Sequence, residues 1–236
     1  MKNRYVAGMV ALSLCLGATV AQAQYFYYLP PDEGPILRLG IGPSFFQDSK
    51  LTQFSGPGIP TSGPTPSTVD YNTGLAFDAA FGWAFNKYAA LNFETGFIGA
   101  EINNVPGYIS DNTRLYNVPF LVNFTLSYPI PRTNIIPYVG AGVGGADMVF
   151  DTDNFTQNSS EITISGSEND VVFAGQLFAG VRFKLNRHLS FDLGYKYFAT
   201  DRPTFSYPAL GGGPNLDVGF RGARTHSVLF GLTFDF

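Results

Sequence analysis

The last eleven residues, His226-Ser227-Val228-Leu229-Phe230-Gly231-Leu232-Thr233-Phe234-Asp235-Phe236, alternate between two kinds of side chain. Even positions carry histidine, valine, leucine or phenylalanine, whereas odd positions carry serine, glycine, threonine or aspartate, with Leu229 as the exception. Successive side chains of a β-strand point to opposite faces, so a period of two predicts a strand with one apolar and one polar face. This stretch therefore predicts a strand that ends on the aromatic Phe236.

The same alternation recurs in earlier parts of the chain. In the clearest case Phe77 and Phe81 fall on one face and Asp78 on the other. Equivalent apolar faces are predicted within residues 37–45, 71–85, 91–97, 118–128, 173–183 and 189–197. The glycine-rich stretch 135–150 is predicted as a further strand, although its sequence does not show which residues share a face. The total is eight strands, and an even number is typical of a single-chain membrane barrel.

The composition favours strands in contact with lipid. Charged residues make up 14% of the chain and aromatic residues 16%, whereas about a quarter of an average soluble protein is charged. After the amino-terminal region no segment approaches the roughly 20 apolar residues of a membrane-spanning helix. A net charge of −4 gives no basic surface for nucleic acid.

The amino-terminal residues have the pattern of a secretory signal peptide. Lys2 and Arg4 precede an apolar run at 6–20, and Ala21-Gln22-Ala23 offers a cleavage site. We therefore expect residues 1–23 to be removed, residues 24–35 to form a short periplasmic segment and residues 36–236 to form the barrel. Cys15 is the one cysteine and lies in the predicted leader, which excludes disulfides and cysteine-metal sites from the mature chain.

The polar faces of the predicted strands indicate which side of the sheet is enclosed. They consist mainly of Gly, Ala, Ser and Asn, as the narrow interior of an eight-stranded barrel requires. A charge enclosed there must be paired to offset its lost hydration. We predict an ion-pair network between four cations and four anions: Arg38, Arg182, Lys184 and Lys196 with Asp78, Glu94, Asp192 and Asp235. The alternative is a large soluble sandwich, with the aromatic residues in its core and the charges in water.

The predicted connections alternate strictly in length. Short turns are predicted near 86–88, 129–134 and 186–188, and long loops at 47–70, 103–113, 151–170 and 201–222. In outer-membrane barrels short turns face the periplasm and long loops face outward. If Phe183 and Phe191 share the lipid face, the turn between them has an odd number of residues, and three residues would place Arg182 opposite Asp192.

Several segments resemble the small outer-membrane barrels related to the transmembrane domain of OmpA, the outer membrane protein beta-barrel domain family. The resemblance rests on residues 137–144, 180–183, 193–197 and 226–236, and extends over essentially the whole predicted mature chain. It implies an antiparallel up-and-down barrel surrounded by outer-membrane lipid and lipopolysaccharide. It also implies insertion by the barrel-assembly machinery, with Phe236 as the assembly signal. It implies no cofactor.

No segment carries a convincing catalytic or metal-binding pattern. His188 and Ser190 have the spacing of a His-x-Ser pair, but His188 falls in a predicted periplasmic turn and Ser190 faces the lumen. His226 is expected at the membrane interface. Asp151-Thr152-Asp153-Asn154 offers oxygen ligands, yet it lacks the glycine and distant glutamate of a calcium loop, so a solvated loop is favoured.

The predicted function is a structural or surface-interaction role, in which long outer loops contact an extracellular ligand or a host surface. A narrow channel for small or hydrophobic solutes is the first alternative. An outer-membrane hydrolase that modifies lipid A is the second.

Overall fold

The computed structural model describes residues 33–56, 67–157, 163–207 and 215–236. Every regular element in these ranges is a β-strand. The described ranges contain no helix that is long and apolar enough to span a bilayer. The predicted signal peptide lies outside the described residues. The first strand begins at Gly34, two residues before the predicted start of the barrel.

The strands number thirteen in the described ranges. In chain order they are β1 (Gly34–Phe46), β2 (Ser49–Ser55), β3 (Ser67–Tyr71), β4 (Gly74–Asn86), β5 (Ala89–Asn104), β6 (Tyr108–Asp111), β7 (Arg114–Ser127), β8 (Ile135–Gln157), β9 (Thr163–Lys184), β10 (Leu189–Thr200), β11 (Thr204–Tyr207), β12 (Leu216–Phe220) and β13 (Arg224–Asp235). Eight of them form a ring, and the other five lie at its outer end.

The ring closes because β1 pairs with strands on both sides. Its Leu39 lies opposite Ala79 of β4 and opposite Leu232 of β13. The remaining pairs, β4–β5, β5–β7, β7–β8, β8–β9, β9–β10 and β10–β13, are all antiparallel and join ring strands that follow one another in sequence. This confirms the predicted eight-stranded, antiparallel, up-and-down barrel.

The two faces of the ring have opposite character. Phe81 is 62% exposed on the outside, and Phe93, Phe124 and Phe230 are also exposed there. Asp78 on the same strand as Phe81 is 3% exposed and faces the interior. A sandwich would have the reverse distribution, so the soluble alternative is wrong. The exposed apolar surface is of the kind that lipid covers.

Strand β8, whose faces the sequence left undetermined, turns its even-numbered residues inward. Ile136 and Tyr138 are buried, whereas Val139 and Val143 are exposed. The glycines allow close packing inside the barrel, since a Cβ added to Gly142 would lie 1.7 Å from Asn123 Oδ1. The strand is also longer than predicted and continues to Gln157.

The turn between β9 and β10 has the predicted register. The Leu185 N–H donates to the Leu189 carbonyl, which leaves three residues, 186–188, in the turn. Phe183 then lies opposite Phe191, and Arg182 lies opposite Asp192. The short connections predicted near 86–88 and 129–134 are also confirmed.

The four long connections predicted at the outer end consist mostly of strands in their described residues, which the sequence analysis did not predict. Strands β2, β3, β6, β11 and β12 form there, and β8 and β9 extend into the predicted third loop. Their inward side chains, such as Leu51, Phe150 and Phe205, meet in a shared apolar core. Residues 57–66, the most Pro-rich and Gly-rich part of the first loop, lie outside the described residues. We call the β-structured outer end, comprising β2, β3, β6, β11, β12 and the outer parts of β8 and β9, the cap.

Trp83 provides a direct test of which face meets lipid, because it is the chain's one tryptophan and projects outward from β4. In vesicles of lipids with brominated acyl chains, we expect its fluorescence to be strongly quenched and aqueous acrylamide to have little effect. Trp83→Phe should abolish the signal. Efficient quenching by acrylamide, with none by the brominated lipid, would contradict the arrangement described here.

Candidate functional site

The eight ionisable residues predicted to face the lumen all do so, and they form three groups of ion pairs. Lys184 pairs with Asp235, Arg182 pairs with Asp192, and Arg38, Asp78, Glu94 and Lys196 form one larger group. Each group contains as many cations as anions. The interior therefore carries four positive and four negative charges with no net charge.

The central group is built around the ammonium group of Lys196, on β10. It contacts the carboxylates of Asp78 and Glu94, with 2.5 Å between Nζ and Glu94 Oε1. Arg38 Nη2 lies 3.3 Å from Asp78 Oδ2. All three of these partners are largely shielded from solvent, so the ion pairs lie in a medium that screens charge poorly.

Two amides extend this group to further strands. Asn123 Nδ2 donates to Glu94 Oε2 over 2.8 Å, and Gln176 Nε2 donates to Asn123 Oδ1 over 2.8 Å. With Arg38, Asp78 and Lys196, the connected side chains come from β1, β4, β5, β7, β9 and β10. The central group thus cross-links six of the eight ring strands. The sequence analysis did not assign Asn123 or Gln176 to the network.

The other two groups lie toward the short-turn end. Arg182 Nε lies 3.0 Å from Asp192 Oδ1, and the Thr233 hydroxyl donates to Asp192 Oδ2 over 2.6 Å. Lys184 Nζ lies 3.2 Å from Asp235 Oδ2. A cavity of about 30 Å³, bordered by both Arg38 and Arg182, has room for only one or two water molecules.

An aromatic residue missed by the sequence analysis lies between the two arginines. The Tyr138 ring centroid is 5.9 Å from the Arg38 guanidinium carbon and 5.6 Å from that of Arg182. Phe178 contacts Arg38 from another strand at 5.9 Å. Such rings stabilise a cation where water is scarce. The sequence analysis could not predict this role, because it did not determine which residues of β8 face the lumen and therefore did not determine which way Tyr138 points.

Above the ions, the interior becomes apolar. Phe198 follows Lys196 by two residues on β10 and is therefore the next inward side chain toward the outside. It packs in a cluster that we call the plug: Ala76, Ile98, Leu121, Ala146, Ala174, Phe198 and Leu229. The barrel interior thus changes from paired ions to a mainly apolar region along its length, in which Asn117 and Thr225 are buried polar side chains at the level of the plug.

The cap contains the largest apolar cluster of the described residues, which we call the cap core. Its members are Leu51, Val69, Ile102, Val105, Tyr108, Leu115, Met148, Phe150, Phe155, Ile164, Phe205, Tyr207, Val218, Phe220 and Ala223. Phe150 lies near its centre, with ring centroids 5.1 Å from Phe220, 5.6 Å from Phe205 and 5.7 Å from Phe155. Aromatic contacts at these separations stabilise beyond simple burial.

The Tyr207 hydroxyl is fixed within this cluster. It donates to the Phe150 carbonyl over 2.8 Å. Burial raises the pKa of Tyr207 above its ordinary value, and the nearby carboxylates of Glu168 and Asp151 raise this pKa further. The neutral phenol is therefore the form that the cap core accommodates.

The remaining candidates are not brought together. His188 lies in the β9–β10 turn, where Nδ1 is 3.0 Å from the Asp235 carbonyl oxygen, while the Ser190 side chain is fully buried in the lumen. His226 faces outward, with Nδ1 2.5 Å from the Tyr195 hydroxyl and Nε2 2.6 Å from Gln47 Nε2.

The segment 151–154 is part of β8 and not the solvated loop that was predicted. Thr152 is buried beside the Thr113 hydroxyl, whereas Asp153 is exposed and accepts a hydrogen bond from Asn112, so the side chains of this segment do not converge on one cation. Across the described part of the chain, no group of three or more histidine, cysteine or acidic residues has the geometry to hold a metal ion.

Comparison with known proteins places this architecture in a family. The model of the outer membrane protein beta-barrel domain matches residues 9–236, which is nearly the entire sequence. The chain belongs to this family. Outer-membrane localisation follows from that membership and from the lipid-facing surface described above.

Solved outer-membrane proteins share the fold at low sequence identity. OprG from Pseudomonas aeruginosa superposes with a TM-score of 0.58 at 16% identity, covering 88% of this chain and 99% of that protein. AlkL, solved in DMPC bilayers, gives a TM-score of 0.52 at 16% identity, covering 91% and 97%. An uncharacterized protein of Brucella suis biovar 1 (strain 1330) is 25% identical over 200 residues, covering 69% of each sequence. The two structural likenesses support the barrel fold.

Lys196→Met is expected to destabilise the barrel strongly. It leaves two buried carboxylates without their shared cation, and breaking a buried pair costs about 3–5 kcal/mol. The measurement is urea unfolding in lipid vesicles, followed by the mobility difference between folded and boiled protein. Arg114→Met is the matched control: it removes the Arg114–Glu101 pair, whose side chains are 43% and 59% exposed, and should leave the unfolding midpoint close to that of the wild type. Equal unfolding midpoints for the two variants would contradict a stabilising central group.

Phe150→Ala should loosen the cap while leaving the barrel closed. Loss of a buried phenylalanine from an apolar core costs about 3–5 kcal/mol, and here that cost falls on the outer strands. We expect protease added outside vesicles to cleave the variant in the cap, with the ring strands still protected. Phe173→Ala, on the outer surface, is the control and should resist cleavage as the wild type does. Equal protease resistance of Phe150→Ala would show that the cap does not depend on its core.

Proposed function

We propose that this protein is a non-conducting structural barrel that holds a folded β-cap above the outer leaflet for contact with extracellular partners. The observation that carries the proposal is the continuous filling of the interior. Ion pairs occupy the half nearer the short turns, the plug lies above them, and the cap core covers the outer end.

A hydrated ion would meet two successive obstacles on this route. It would first displace charges that are already neutralised by fixed partners, such as Lys196 between Asp78 and Glu94. It would then lose its remaining water among Leu121, Phe198 and their neighbours. Transferring an ion into an apolar region without compensation is prohibitively costly. The plug is therefore a second barrier to ions.

The construction of the cap favours a role in recognition. Its strands pair across the cap, with β12 between β11 and β2, and β3 joining β2 to β5. A surface held by strand pairing and an apolar core loses less conformational freedom on binding than an irregular loop does.

The arrangement of histidines and hydroxyls supports a non-enzymatic role. A serine nucleophile needs a base within hydrogen-bonding reach. Ser190 is buried in the lumen, and the His188 ring is engaged with a backbone carbonyl near the end of β13. His226 lies beside Tyr195 and Gln47 on the lipid-facing side. In these hydrogen bonds neither the His188 ring nor the His226 ring contacts a serine.

Planar-bilayer recording of the refolded protein tests the proposal. We expect no stable, discrete openings under conditions in which a general porin conducts. Wild-type openings that change in size or ion selectivity in Lys196→Met would favour the channel alternative, because they would place the permeation path through the central group. Incubation with lipid A supplies the second check. Release of acyl chains, abolished by His188→Ala, would contradict the non-enzymatic role.

A further inference from the structure

Four cations gather where the cap meets the rim of the barrel: Lys50, Arg202, Arg221 and Arg224. All four side chains are exposed. Within the described ranges, none lies within ion-pair distance of a carboxylate, in contrast to the neutralised charges of the lumen. We call these four residues the basic rim.

Strand pairing places Lys50 and Arg221 side by side. Phe220 lies opposite Leu51, and both are buried in the cap core. The Arg221 N–H donates to the Lys50 carbonyl over 2.8 Å, which continues the pairing by one residue. Because adjacent residues point to opposite faces, Lys50 and Arg221 both project from the outer face.

Arg202 continues the row on the other side of Arg221. Thr204 lies opposite Gly219, and the Phe220 N–H donates to the Pro203 carbonyl over 3.2 Å. The next pair in this register joins Arg202 to Arg221. Three cations therefore follow one another across neighbouring segments, and like charges in directly opposed positions destabilise a sheet. A bound anion would relieve this repulsion.

Arg224 shows where the row of cations lies relative to the membrane surface. Along the outward face of β13, Phe230, Val228 and His226 lead to Arg224. On β1 the same change from apolar to polar occurs between Phe45 and Gln47, whose N–H donates to the Arg224 carbonyl. Tyr195 and Tyr197, which contact His226, supply the aromatic side chains typical of a bilayer interface. The basic rim thus begins where the lipid-facing surface ends.

Nearby carboxylates do not neutralise the basic rim. Asp48 and Asp201 are the exposed acids adjoining it in sequence. Asp201 Oδ1 accepts the Arg202 backbone N–H over 2.8 Å, so it caps the chain and does not contact a guanidinium group. Asp70 and Asp170 also lie close, since Val69 pairs with Ser49 and Asp170 Oδ2 accepts the Thr204 backbone N–H over 2.8 Å. Among the described residues none of these four carboxylates forms an ion pair with a cation of the basic rim.

We propose that the basic rim binds the phosphate groups of lipopolysaccharide, the phosphorylated glycolipid of the outer leaflet. Arginine presents a planar set of donors that matches phosphate oxygens, and three of the four cations are arginines. A lipid is favoured over a soluble polyanion because apolar surface adjoins the charges. Phe173, 66% exposed, accepts a hydrogen bond at its carbonyl from the Asp201 N–H and so lies beside the row, where acyl chains can cover it.

Thermal unfolding of the refolded full-length mature chain in detergent micelles tests this binding. We expect bisphosphorylated lipid A to raise the wild-type Tm, and lipid A stripped of its phosphates to raise it much less. Arg221→Gln/Arg224→Gln should weaken the apparent affinity roughly 10- to 30-fold, as expected for two cations near an anionic lipid surface. Lys50→Gln/Arg202→Gln should act in the same direction, and it provides the test if the first variant folds poorly.

The control variant removes the same charge elsewhere. Lys87→Gln/Arg132→Gln replaces two exposed cations of the short turns, at the opposite end of the barrel, and should keep the full response. Three results would overturn the proposal: equal shifts with and without the lipid phosphates, an unchanged response in both basic-rim variants, or an equal loss in the control. A full response to inorganic phosphate or to heparin, lost in the basic-rim variants, would also overturn it, since the occupant would then be a soluble anion.

Discussion

A strand surrounded by hydrocarbon cannot leave its backbone N–H and C=O groups without partners, and closure of the sheet is the way a β-protein meets this requirement. Here closure depends on β1, which pairs with β4 along one edge and β13 along the other. Closing a sheet of only eight strands leaves a narrow interior. The inward faces must therefore combine small residues with a few large ones, and any charge among them must find a partner inside the barrel.

The ion pairs of the lumen act as much on register as on stability. Replacing buried charges by well-packed apolar groups is often neutral or stabilising, so their presence alone is weak evidence of a gain in free energy. A shift of β10 by one residue, however, would turn Lys196 toward lipid, leaving Glu94 without a cation and Asp78 with Arg38 alone. Because the central group spans six strands, it penalises such a shift at many of the barrel's seams at once.

Alternation in the sequence was sufficient to predict the ring and the inward and outward faces of seven of its strands, since the period of two is a local property of each strand. The alternation of odd and even positions also predicted which eight ionisable residues face the lumen. A turn with an odd number of residues predicted that Arg182 lies opposite Asp192. The face of Tyr138 could not be predicted, because the glycines around it have no side chain to show a preference. The cap strands were missed for another reason: β2 and β12 are short and pair with each other from opposite ends of the sequence.

The gradient of polarity along the barrel explains why the outer segments fold at all. Outer loops that surrounded a polar lumen could remain irregular and hydrated. Here the inward residues of β8 pass from Tyr138, beside two arginines, to Met148 and Phe150 in the cap core. Apolar surface that emerges above the membrane must be covered, and it can be covered only by further chain, whose own backbone then needs hydrogen-bonding partners. Short strands meet both requirements, because their inner faces bury the aromatic residues while their ladders pair the backbone.

The same arrangement fixes the outer faces, so that the positions of Lys50 and Arg221 follow from the burial of Leu51 and Phe220. The surface that the protein presents outside is thus a consequence of how its interior is filled.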